Sequence, residues 1–113
     1  MKEEIDMTAQ VYGAVDGRGN ALIDGSGDWT AQRVTSGVYD ITFSTPFTAQ
    51  PVVMVTGYIP REQGGAASDN VFCVGPITAD SVRVRTFDVE SKDVDNAGEA
   101  QDAEFTFIAL GAR

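Results

Sequence analysis

The fold turns on "GVYDITFS", residues 37–44. In an extended chain Tyr39, Ile41 and Phe43 fall on one face, and Asp40 and Thr42 on the other. A period of two marks a half-buried strand, because successive side chains of a strand point to opposite faces. The alternation returns in "AEFTFIALG", residues 103–111, where Phe105, Phe107 and Ala109 share a face. Val82 and Val84 likewise alternate with Arg83 and Arg85. No window of comparable length carries a helical repeat, and Gly, Pro, Thr and Val are spread throughout. The chain reads as all-β, an antiparallel β-sandwich (jelly-roll-like) of about eight short strands. Strands are expected at 10–15, 20–23, 28–34, 37–44, 51–58, 70–75, 80–88 and 103–111.

Length and composition narrow the rest. A chain of 113 residues with 42% apolar content makes one globular domain, 1–113, with residues 1–9 expected as a flexible segment. The net charge of -9, from 17 acids against 8 bases, repels nucleic acid and anionic membranes. The absence of histidine removes the commonest general base, the Ser-His and Cys-His pairs and most zinc sites. Cys73 is the single cysteine, so no internal disulfide forms, and its apolar run "VFCV" (71–74) places it as a small buried hydrophobe. The opening "MKEEIDMTAQ" has no signal-peptide stretch, and no segment reaches the ~18 apolar residues of a membrane span. Carboxylates are plentiful, but nothing sets two of them across a cleft, so the chain is read as no enzyme.

"DGRGNALIDGSGD" (16–28) holds one pattern twice, Asp-Gly-x-Gly-Asn and Asp-Gly-x-Gly-Asp. Acids spaced by glycines suggest a calcium loop, yet neither copy has the full ligand spacing. Both are read as hairpin turns, since Asp-Gly supplies the positive φ that such turns need. "PVVMVTGY" (51–58) is apolar on both faces, so both should be covered, one by the core and the other by a neighbouring subunit or another part of the chain. Two connections are long, 59–70 and 89–102. An antiparallel meander would put both at one end and the two termini at the other, which is the layout of a binding module, with 59–70 and 89–102 as the loops that recognise the ligand.

From residue 25 onward, "GSGDWTAQRVTSGVYDITFSTPFTAQPVVMVT" (25–56), "ADSVRVRTFDVES" (79–91) and "DAEFTFIALG" (102–111) together resemble a small β-sandwich type. It is the type of phage tail-fibre tips, of the C-terminal ends of bacterial collagen-like proteins and, more distantly, of the H-type lectins. The resemblance implies a homotrimer, or a dimer of trimers, on a virion or extracellular surface structure, binding a glycan or cell-surface receptor. The alternative is a structural head that nucleates or caps a trimer without a ligand of its own. H-type lectin pockets often include a histidine, which this chain lacks, so that pocket is not copied here.

The candidate ligand-binding residues are Arg61, Arg83, Arg85, Phe87, Asp88 and Trp29. Arg83, Arg85 and Phe87 share a strand face, where arginine forks can grip hydroxyls or carboxylates. The plainer reading pairs them across strands with Glu104 or Asp40. Trp29 can stack on a sugar ring or anchor the core, and the second fits a lone tryptophan better. Asp93, Asp95 and Glu99 are the calcium candidates, with solvated loop charge as the preferred reading. No other cofactor is expected.

Overall fold

The computed structural model describes residues 9–59, 70–88 and 99–113. It is an antiparallel β-sandwich, without helix among the described residues, built from β1 (Ala9–Val15), β2 (Ala21–Ile23), β3 (Trp29–Thr35), β4 (Val38–Phe43), β5 (Val52–Gly57), β6 (Asn70–Ile77), β7 (Ser81–Asp88), β8 (Glu99–Ala100) and β9 (Phe105–Gly111). One sheet, here sheet A, has the order β2-β1-β9-β5. The other, sheet B, has the order β3-β4-β7-β6, with β8 also paired to β7. All eight expected strands are present. The addition is β8, a two-residue strand within what reads from sequence as the long loop 89–102, and too short to show a period.

The chain is not a meander. It crosses between sheets after β2, β4, β5 and β8, so neighbours in sequence are often not neighbours in a sheet. The expected layout survives for a different reason. Ala9 pairs with Gly111 at one end of sheet A, and Val15 and Gly57 pair with Phe105 at the other. Asn70, Glu99 and Asp88 meet at the end of sheet B that holds the start of β4. The strand ends that bracket 60–69 and 89–98 therefore lie together, opposite Ala9 and Arg113. Ala9, expected in a flexible segment, is buried in β1; residues 1–8 lie outside the described residues.

The core fills by alternation. Tyr39, Ile41 and Phe43 of β4 face Val11, Val15, Phe105, Phe107 and Ala109 across the sandwich. Trp29 meets Phe107 edge to face at 4.9 Å, and Phe43 meets Phe47 in the same way at 5.2 Å. Tyr39 is wholly buried, and its hydroxyl donates to the Gly17 carbonyl at 2.9 Å and accepts from the Ala103 amide at 3.3 Å. It thereby ties the turn after β1 and the approach to β9 onto β4. Burial, and the nearby charge of Asp102, push its phenol well above the ordinary tyrosine value. At the other end Arg113 donates to Asp28 at 2.7 Å and to the Thr45 carbonyl at 2.9 Å, and lies over the Phe47 ring.

The two acidic turns differ from each other. The first is the expected hairpin: Asp16 Oδ1 accepts from the Arg18 and Asn20 amides at 2.8 and 3.0 Å, and Gly19 holds φ +89. The second is not a hairpin. It carries the chain from sheet A to sheet B, and its Asp24 carbonyl accepts from Gly27 N and Trp29 Nε1, both at 2.8 Å. Two positions depart from the sequence reading in burial. Cys73 is exposed, because Phe72 and Val74 take the core-facing positions of β6. Strand β5, expected to be covered on both faces, is an edge strand of sheet A, with Val53 inward and Val52 and Met54 exposed on the outer face of the single chain.

Tyr39→Phe strands the Gly17 carbonyl and the Ala103 amide, so it should lower stability by about 1–3 kcal/mol. The check is a lower urea midpoint at unchanged slope. Chelation of calcium should leave the melting temperature unchanged, since both turns close with their own backbone and side-chain bonds.

Candidate functional site

The outer face of sheet B carries the charge that the core excludes. Along β7, Val82, Val84 and Thr86 point inward, which sends Ser81, Arg83, Arg85 and Phe87 outward in one line. Arg83 lies opposite Asp40 on β4, Arg85 between Val38 and Cys73, and Phe87 between Val71 and Ala100. The expected shared face of Arg83, Arg85 and Phe87 is thus present. It runs from the middle of the sheet to the end where 60–69 and 89–98 attach.

Arg83 grips Asp40 with both ends of its fork, Nε to Oδ1 at 2.7 Å and a terminal nitrogen to Oδ2 at 2.9 Å. That is the cross-strand partner expected from the alternation of β4 and β7. The guanidinium hydrogen bonds hold the Asp40 carboxyl below its ordinary value of 3.8, against a smaller opposing push from burial. The pair lines a shallow depression of about 340 Å³, together with Thr42, Pro76, Thr78 and Ser81. Its Thr78 and Ser81 hydroxyls are 3.2 Å apart, and Thr78 Oγ1 also accepts from the Asp80 and Ser81 amides, which fixes it. The depression therefore presents a carboxylate, a guanidinium with donors to spare and oriented hydroxyls.

Arg85 differs from Arg83. It is exposed, and no described residue pairs with its guanidinium, although the chain carries an excess of acids. Arg33 and Arg113, by contrast, are bound to Asp102 and Asp28. Arg85 is flanked by exposed Cys73 in register, with Phe87 and the 43%-exposed Val71 one pair further along. An exposed cation beside an aromatic ring is a natural seat for a polar group that carries a ring or an acid.

The other candidates divide cleanly. Trp29 is 7% exposed, and its indole N–H is used by the Asp24 and Tyr12 carbonyls, so it anchors the core and offers no stacking face. Gly13 makes room for it: a Cβ there would lie 2.3 Å from the indole. Arg61, Asp93 and Asp95 lie outside the described residues, and of Asp88 and Glu99 the backbone alone is placed. Among the described residues no cluster of three or more acids or cysteines is placed to hold a metal ion. Sequence reasoning missed the Thr42, Thr78 and Ser81 hydroxyls. Threonines and serines carry no distinctive signal in strands or turns, and the β4–β7 pairing sets Ser81 beside Thr42 and Asp40 while the β6–β7 turn adds Thr78.

The Asp40–Arg83 pair sets a pH dependence. A depressed carboxyl contributes stability above its unfolded value, near pH 4, and loses that contribution as pH falls through the folded value. Asp40→Asn should lower the urea midpoint slightly at pH 7, and the difference from the wild type should shrink progressively as the pH falls below about 4.

No family model, curated protein or solved structure matches this chain.

Proposed function

We propose that the chain is a non-catalytic binding module that works as a homo-oligomer on a virion or extracellular surface. Its partner is a glycan or cell-surface receptor, gripped by the outer face of sheet B and by the end from which 60–69 and 89–98 depart. The homotrimer implied by the resemblance to tail-fibre tips and lectins is the assembly that fits this role. The observation that carries the reading is Arg85, an exposed guanidinium without a described partner in a chain of net charge -9. It stands in line with Phe87 and with the hydroxyl-bearing depression around the Arg83–Asp40 pair. Sugars are read by such sets, with carboxylate and guanidinium forks on hydroxyls and a ring against the apolar face. A second reading, a capping head that binds nothing, is favoured by the uncharged strands of sheet A.

Glycan-array binding by the whole chain decides between them. Arg85→Ala and Phe87→Ala should each weaken binding about 10- to 100-fold, the cost of losing a charged hydrogen bond or an aromatic contact, with the melting curve unchanged. Arg18→Ala, on the first turn, should leave binding as it is. Equal binding by the Arg85 and Phe87 variants, or no signal from the wild type, would favour the capping head.

A further inference from the structure

The two outer faces of the sandwich obey different rules. Sheet B sends charge outward, as an antiparallel sheet with one wet face does. None of the four strands of sheet A contains Asp, Glu, Lys or Arg, in a chain whose residues are 22% charged. Their outward positions are uncharged, with Gln10, Thr56 and Thr106 at the margins and apolar side chains between them. Tyr12, Ile108 and Met54 stand in one row across β1, β9 and β5, and Leu110 and Val52 in the adjacent one. Val52, Met54 and Tyr12 are 65%, 53% and 44% exposed. A shallow depression of about 280 Å³ opens between β5 and β9 beside this row. Uncharged, apolar and continuous over three strands, the face is built like a surface that meets another protein.

We infer that this face of sheet A packs against a second copy of the same chain. Charge selects that occupant. A cationic partner would be drawn to carboxylates, and the strands of this sheet have none. Two copies at net charge -9 repel each other, and the repulsion is least where charge-free faces meet and the acids stay outside. A twisted sheet is also a ready complement to itself, since two such faces stack at about 30° with interleaved side chains. The area sets the strength. The exposed rows offer a few hundred Å² per copy, against about 800 Å² per partner for a standard specific interface. The contact is therefore reversible, and the fraction of assembled protein rises with concentration. The inference shares with the proposed function only the statement that copies assemble, and it leaves the Arg85 face of sheet B pointing outward.

Sedimentation velocity of the whole chain over a wide concentration range tests it, with circular dichroism to confirm folding. The wild-type mass should rise above one chain. Met54→Glu should hold the mass at one chain, as should Val52→Glu and, from the other side of the face, Tyr12→Lys. Mixing Met54→Glu with Met54→Lys should restore association. A wild type that stays at one chain throughout, or folded Met54→Glu and Val52→Glu proteins that keep the wild-type mass, would overturn the inference. Glycan binding measured on the same samples separates the two ideas. Loss of assembly with Arg85-dependent binding retained upholds both, and unaltered mass with Arg85-dependent binding retained removes this one alone.

Discussion

A single hydroxyl organises the end of the sandwich where the long connections meet. Tyr39 comes from sheet B, and its phenol reaches through the core to the turn that follows β1 and the segment that precedes β9. Both partners are backbone groups, so they hold whatever side chains surround them. The nearby Asp102 extends the tie, accepting from the Gly37 amide at 2.7 Å and from Arg33 at 2.9 Å. The Thr86 hydroxyl, buried on β7, donates to the Gln101 carbonyl in the same region. Three polar side chains thus fix where β4, β7 and β9 begin or end. The outward line of β7 is aimed from that fixed end.

The two sheets then divide the work of the surface. An antiparallel sandwich needs only its inner faces to be apolar, so each outer face is free to take another character. Here sheet B uses that freedom for charge and hydroxyls, and sheet A for neutral apolar side chains. A chain with a strong acid excess keeps a charge-free sheet only if its carboxylates go elsewhere. They go to sheet B, where Asp40 holds Arg83, and to the turns and connections, where Asp16 closes a bend and Asp28 and Asp102 each clamp an arginine.

The strands were legible in the sequence because alternation is a local property. Tyr39, Ile41 and Phe43, or Phe105, Phe107 and Ala109, announce their inner face without reference to any partner. Arg83, Arg85 and Phe87 were legible as one face for the same reason, and Asp40 as a possible mate for Arg83. Partnership itself was not. The β5 run is apolar on both sides, which fits a central strand as well as an edge strand whose outer face stays dry. The second Asp-Gly turn has the residues of a hairpin and serves as a bridge between sheets, because Trp29 draws its indole toward Phe107. Cys73 sits in an apolar run, yet Phe72 and Val74 claim the inner positions and period two turns the thiol outward. In each case a contact distant in the chain outweighed local chemistry.

That outward thiol has a practical side. As the sole cysteine in the chain, Cys73 takes a maleimide dye at one place only, and that place is the register partner of Arg85. A fluorophore attached there sits on the outer face of sheet B, next to the Arg85 guanidinium and away from the neutral sheet opposite. The molecule carries its own reporter position, and a change in emission at that position can be read without altering a residue.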